Sequence, residues 1–350
     1  MSLDFDSARL PNPHFTEEHD AWRAALRRFI DTEVMPYADD WDEAGAIPTE
    51  LWPKAAEVGL LGLGYPEQYG GTPADNWHSW IVNEELSRVG VGGISASLMV
   101  HGIGLPPVLN WGPEWMQAEV APPVLKGEKW ISLGITEPGG GSDVANLATT
   151  AVRDGDHFVV SGSKTYITGG MRANWVSTAV RTGGEGAGGV SMLLIPTDAE
   201  GFSRTPLDRK MGWWASDTAT LYFDEVRVPV ENLIGSENEG FKVIMTNFNS
   251  ERMGMAAAME AYARVCLEEA VAWATERKTF GKRLADHQVI RHKIAQMKQQ
   301  LNATQAYIRM CYESIEAGAP NPGDIALLLS LIHISEPTRQ AEISYGRVWV

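Results

Sequence analysis

The segment 134-GITEPGGGSDVA-145 sets three consecutive glycines between two extended runs, with Thr136 and Ser142 near its ends. Backbone without Cβ atoms lets a ligand approach closely and exposes N–H groups suited to phosphate or another anion. By itself, such a run is more often only a glycine turn with an Asx or serine cap. A second segment, 163-SKTYITGGMRANW-175, ends an extended run in another glycine turn. The two-residue period of a strand puts Tyr166 and Thr168 on one face. An aromatic plane beside a hydroxyl is what a planar heterocycle needs for stacking and polar contact, although a core tyrosine next to a strand threonine has the same pattern.

The third segment, 247-NFNSERMGM-255, is helical in period and is followed by 276-ERKTFGKRLADHQ-288. Ile244, Phe248, Glu251, Met255, Ala258 and Tyr262 fall on one stripe, which leaves Glu251 as a carboxylate on a mostly apolar face. Burying such a charge is costly, so its pKa should rise and the group becomes a candidate general base. A helix glutamate paired with a nearby arginine fits the same spacing.

These segments need elements to hold them. From Thr16 to about Lys126 apolar residues recur at helical spacing, as in Trp22, Leu26, Phe29, Ile30 and Val34. Residues 130–236 switch to alternating runs rich in Val, Thr, Ile and Phe, with 153-RDGDH-157 as a hairpin signal, and read as a β-barrel or sandwich. Helical period returns over about 240–279 and 286–317, the first stretch closing on Arg277, Lys278 and then Gly281 as a basic last turn and glycine stop. Grouped strands between helical sections argue against an alternating nucleotide-binding fold, and neither G-x-G-x-x-G after a strand nor G-x-x-x-x-G-K-[ST] occurs. The expected class is α+β, with a helical domain (1–129), a β domain (130–236) and a second helical domain (237–328).

Composition narrows the function further. An apolar share of 44% and a charged share of 21% are ordinary for a globular chain. A formal charge of −16 disfavours nucleic acid and anionic lipid as partners. Two cysteines make no disulfide framework or metal-ligand spacing, so no metal and a cytoplasmic setting are expected. The first twenty residues lack the pattern of a secretory or organellar presequence, and no uninterrupted apolar run reaches about 18 residues.

Taken in order, 135-ITEPGGGSD-143, 163-SKTYITGG-170, 211-MGWWASDTATLYFDEVRVP-229 and 276-ERKTFGK-282 resemble the acyl-CoA dehydrogenase family, as do the helices around 57-EVGLLGLGYPEQYGG-71. The likeness runs from about residue 14 to 328. It implies an N-terminal helical domain, a middle β-barrel and a C-terminal helical bundle, with FAD between the last two and partly held by a neighbouring subunit of a homotetramer or homodimer. It further implies that Ile135, Thr136, Ser142, Tyr166 and Thr168 bind the flavin, with Thr168 near N5 and Tyr166 where many relatives carry tryptophan. Arg277, Phe280 and Gln288 are expected at the partner subunit's FAD, and Asn249, Arg252 and Ser142 at the acyl-CoA. The Glu-Arg pair 251–252 matches long-chain and isovaleryl-like members that carry the base on this helix, in agreement with the stripe.

The resemblance implies oxidation of an acyl-CoA to a trans-2-enoyl-CoA, with electrons passed to an electron-transferring flavoprotein. A flavin oxidase of the same fold, acting on an acyl-CoA or a nitroalkane, and a catalytically silent flavin or acyl-CoA binding module are the alternatives. The final stretch, LSLIHISEPTRQAEISYGRVWV from Leu329, breaks the helical pattern and reads as non-native sequence. The chain is accordingly expected to be C-terminally truncated, to retain FAD poorly and to lack any second carboxylate that the missing region supplies.

Overall fold

The computed structural model describes residues 3–331 apart from residue 209, so the segment read as non-native lies outside the described residues from position 332 onward. Helices come first: α1 (Glu17–Glu33), α2 (Ala38–Ala44), α3 (Leu51–Glu57), α4 (Asn76–Ser87), α5 (Gly92–Leu98), α6 (His101–Trp111) and α7 (Glu114–Leu125). Strands follow: β1 (Ile131–Gly134), β2 (Thr150–Asp154), β3 (His157–Thr168), β4 (Trp175–Arg181), β5 (Val190–Pro196), β6 (Phe202–Pro206), β7 (Thr218–Pro229) and β8 (Leu233–Ile234). Two long helices, α8 (Gly240–Glu276) and α9 (Gln288–Glu316), come after them. This is the helix, sheet, helix order expected from the periodicity.

The chain forms two compact units. One holds Asp31–Pro73 and Val91–Phe248, the other the described parts of Met1–Ile30, Ala74–Gly90 and Asn249–Val350. In the first, one sheet runs β6-β7-β3-β2-β4-β5-β8, with β1 parallel to β4. Phe158, Val160, Val176, Val180, Leu193, Ile195, Leu221 and Phe223 come from β3, β4, β5 and β7, yet share one core, as the strands of a barrel do. The other core, with Ile131, Trp175, Met192 and Leu194 of the sheet, packs against Leu105 and Val108 of α6 and Val120 and Val124 of α7. Each such aliphatic side chain, fully buried, contributes about 1.5–3 kcal/mol. The β2–β3 hairpin forms where Asp-Gly signalled it, but Asp154 pairs with His157, so Gly155 (φ 65°) and Asp156 make the turn.

In the second unit α4 begins at Asp75, whose carboxylate accepts from the His78 backbone N–H at 3.1 Å, an N-cap. Trp77, Trp80, Met253, Ala256, Ile308 and Tyr312 build its core. The N-terminal segment also belongs here. Lys298 Nζ and Gln305 Nε2 both donate to the Ala8 carbonyl, at 2.7 and 3.1 Å, and Phe5 lies under the Arg264 guanidinium at 4.1 Å.

One expectation is corrected. Helix α8 stops at Glu276, so Arg277 and Lys278 are not its last turn. Instead, Lys278–Thr279 pairs antiparallel with Lys282–Arg283, and Phe280 (φ 50°) and Gly281 (φ 74°) both take left-handed backbone at the tip. Two left-handed residues make a type I′ hairpin turn, which the glycine encodes better than it encodes a helix stop. One described stretch, Gly92–Trp111, is long and apolar enough to cross a bilayer by length and composition. It is split into α5 and α6, and its Ile94, Leu98, Leu105 and Val108 are buried.

Candidate functional site

In the β-sheet unit, β1 delivers the glycine-rich loop and β3 carries the second motif alongside it. Hydrogen bonds join the two. Ser132 Oγ donates to the Thr168 carbonyl at 2.9 Å, Lys164 Nζ to the Ile135 carbonyl at 3.1 Å, and the Thr165 backbone N–H to the Thr136 carbonyl at 2.8 Å. Ile135 is buried, Thr136 and Thr168 are half-buried, and Ser142 is exposed. The structure thus brings Ile135, Thr136 and Thr168 to one neighbourhood, with Ser142 further along the same loop.

The loop itself is open. A Cβ added at Gly139 or Gly140 would meet nothing within 4 Å. No neighbour in this chain therefore requires those two positions to lack a side chain, as expected of backbone reserved for a ligand's approach. Gly141 differs: its Cβ would lie 3.1 Å from Thr136 Cγ2, so the loop folds closely over that threonine.

Strict alternation along β3 does not survive. Lys164 pairs with Leu221 of β7 but Ile167 pairs with Ala219, so β3 holds one extra residue, a β-bulge. Before it the inward residues are even-numbered (Phe158, Val160, Lys164); after it Ile167 is inward. Tyr166 occupies the bulge with φ 60° and is 63% exposed. A left-handed tyrosine costs about 1–2 kcal/mol, and such strain gathers at ligand sites. An exposed aromatic, two strand-end hydroxyls and an open glycine loop suit a planar heterocycle carrying phosphates.

Sequence reasoning missed the group beneath these residues. Lys164 is fully buried, and its ammonium lies 2.7 Å from Glu137 Oε1. The two carboxylate oxygens of Glu137 also accept from the backbone N–H groups of Ala148 (2.6 Å) and Thr149 (2.9 Å). Burial pulls the Lys164 ammonium down to about 8 against the opposing pull of Glu137. Burial pushes Glu137 up, but Lys164 and the two amides outweigh it and hold the carboxyl below its ordinary value. At neutral pH both are charged. A lysine two residues before an exposed aromatic on a strand was the available signal; the bulge hid its inward direction.

In the helical unit, Glu251 and Arg252 lie on α8, both half-buried. Burial lifts the Glu251 carboxyl to about 7, with the adjacent Arg252 pulling the other way. The apolar stripe is uneven, since Met253, Ala256 and Ala257 are buried while Met255 is 48% exposed. The side chain of Asn249 lies outside the described residues. Arg277, Phe280 and Gln288 are exposed, on and beside the hairpin after α8, and Phe280 at its tip is 97% exposed.

Family models match along the chain: the acyl-CoA dehydrogenase N-terminal domain over residues 16–128, the middle domain over 132–226 and the C-terminal domain over 238–329. The long-chain specific acyl-CoA dehydrogenase of Sus scrofa mitochondria is 34% identical, over 85% of this chain and 70% of its own. A probable acyl-CoA dehydrogenase from Mycobacterium abscessus superposes with TM-score 0.91 at 43% identity, covering 93% of this chain and 87% of that one. A glutaryl-CoA dehydrogenase from Mycobacterium smegmatis, solved in complex with FADH2, gives TM-score 0.87 at 26% identity, over 94% and 83%.

Proposed function

Since the chain belongs to the acyl-CoA dehydrogenase family, we propose that it oxidises an acyl-CoA between Cα and Cβ, with FAD as cofactor and Glu251 as base. The observation that carries the role of Glu251 is a carboxyl lifted to about 7 by burial on α8. The α-hydrogen of a thioester is weakly acidic because its anion delocalises onto the carbonyl oxygen. A carboxylate whose conjugate acid titrates near neutrality is a stronger base than an exposed one, and much of it is still ionised at working pH. Glu251 takes the α-proton and becomes the neutral acid, the form its surroundings favour. When bound, FAD supplies the two-electron oxidation by accepting the β-hydrogen as hydride. The trans-2-enoyl-CoA then leaves.

The flavin half of the proposal rests on the loop 134–145 and on β3. Thr136, Ser142 and Thr168 supply hydroxyl donors and Tyr166 an exposed ring. The buried Ile135 backs the loop, and Ser142, Asn249 and Arg252 are the proposed contacts to acyl-CoA. Phe280 supports a homotetramer or homodimer in which Arg277, Phe280 and Gln288 meet a partner subunit's FAD. A bare phenylalanine on left-handed backbone is a poor surface residue unless something covers it. An electron-transferring flavoprotein in the cytoplasm is the proposed electron acceptor.

The test is anaerobic mixing of the FAD-loaded protein with saturated acyl-CoA. Bleaching of the visible flavin absorbance, matched by enoyl-CoA formed, is expected. Loss of the oxidised spectrum should reverse faster with an electron-transferring flavoprotein than with oxygen. A flavin that stays oxidised with every acyl-CoA chain length rejects the proposal.

A further inference from the structure

Glu137 and Lys164 lie outside every role given above, yet they tie β3 to both ends of the glycine loop. Lys164 spans from β3 to the end of β1, donating to the Ile135 carbonyl and to Glu137 Oε1. Glu137 in turn accepts from Ala148 and Thr149, beyond the far end of the glycine loop. The loop 138–147 therefore leaves and returns at one carboxylate. Glu137 and Gly140 also exchange backbone hydrogen bonds at 3.0 and 3.1 Å, which shapes the turn immediately after that carboxylate.

A pair of charges is an expensive way to hold a loop. Lys164 is completely buried and Glu137 is 8% exposed, so both have given up water. Apolar side chains of similar volume often stabilise a fold as well as a buried ion pair does. What the pair adds is direction. The ammonium has one carboxylate and one carbonyl to meet, and both carboxylate oxygens are taken. The same lysine ends the even-numbered inward run on β3, next to the bulge that turns Tyr166 outward. Slipping the strand by one residue would bring Lys164 to the outer face and undo every one of these bonds.

We propose that Lys164, through its ion pair with Glu137, is a positioning residue for the flavin: it fixes the glycine loop and the Tyr166 bulge in the one arrangement that binds the isoalloxazine and its phosphates. This rests on the flavin reading of the loop and of β3. Lys164 touches no ligand itself; it acts through the carbonyl of Ile135 and the carboxylate of Glu137. The pair thus fixes geometry that the glycines, with open space around Gly139 and Gly140, do not fix for themselves.

The test compares wild type with Lys164→Met and with the double variant Lys164→Met/Glu137→Gln. Lys164→Met leaves a buried carboxylate without its cation and should unfold at a clearly lower temperature. The double variant removes both charges, and the one amide oxygen introduced by Glu137→Gln can accept from one of the two loop amides, so its apoprotein should recover part of the lost Tm. Its FAD affinity should not recover: the Kd is expected to stay at least about tenfold weaker, since the loop loses a charge-assisted tie. The visible circular dichroism of its bound flavin should also differ in shape from wild type, which a purely structural role would not produce. A double variant with wild-type Kd and wild-type flavin dichroism overturns the proposal. Wild type that binds no FAD at all overturns the flavin reading first, and this proposal with it.

Discussion

The backbone N–H of Thr165 donates to the carbonyl of Thr136 at 2.8 Å, so two motifs distant in sequence are joined main chain to main chain. Neither side chain is needed for that bond. Substitutions in the loop can therefore probe ligand contact without breaking the join.

Gly139→Ala and Gly140→Ala are the mildest of these. Each added methyl meets open space in the free protein, so apoprotein Tm should be unchanged. If the phosphates of FAD approach this backbone, the Kd for FAD should weaken by about tenfold, equivalent to about 1.4 kcal/mol. Isothermal titration with FAD reads this directly, and an unchanged Kd removes the two glycines from the flavin site.

Tyr166 gives a sharper separation of stability from function. Its ring is mostly exposed and its backbone is left-handed, so Tyr166→Gly relieves strain while losing little packing. Apoprotein stability should stay within about 1 kcal/mol of wild type or rise, the relief offset by the freer unfolded chain. Flavin binding should weaken, and Tyr166→Trp should bind as wild type does. Denaturant melts paired with fluorescence quenching of added FAD measure both.

The helical unit carries its own buried network. Arg264 and Arg23 both donate to Glu84, and Arg9 lies 3.4 Å from it. Burial alone would raise the Glu84 carboxyl, but Arg264, Arg9 and Arg23 bring it down to about 2. A carboxyl depressed in the native state contributes stability above its unfolded pKa of about 4.3. That contribution is lost as pH falls toward 2. Glu84→Gln leaves three guanidinium groups short of a counter-charge and should cost about 3–5 kcal/mol at neutral pH. Its urea midpoint should lose less than wild type's on acidification, because the titrating group is gone.

Much of this was legible in the chain. Period alone separated the helices from the strands, and the Asp-Gly pair marked the β2–β3 turn to within one residue. The stripe on α8 singled out Glu251, and burial does raise its pKa. The β3 bulge was hidden because it is set by the register of β7, a partner distant in sequence. Lys164 was overlooked for the same reason, since its inward direction depends on that register. Arg277 and Lys278 looked like a helix end because a basic turn before a glycine serves an I′ hairpin equally well. Arg9, in a polar and acidic N-terminal stretch, gave no sign that Glu84 would receive it.

Glu251 makes a stability prediction opposite in sign to that of Glu84. Its native carboxyl titrates near 7, above the unfolded value of about 4.3. Between those values the native state holds a proton that the unfolded chain has released. Stability contributed by the protonated form is full below about 4.3 and is lost as pH rises through 7. Glu251→Gln should flatten this decline, as followed by Tm across the window.

The most direct measurement is the pH dependence of kcat/KM for enoyl-CoA formation by the FAD-loaded protein, run beside Glu251→Gln. The account predicts a wild-type rate that rises with pH on one ionisation near 7. In the variant, turnover should fall by about 10²–10⁴-fold, with acyl-CoA affinity nearly kept. A Glu251→Gln protein that turns over at the wild-type rate, with the same rise near neutrality, contradicts it.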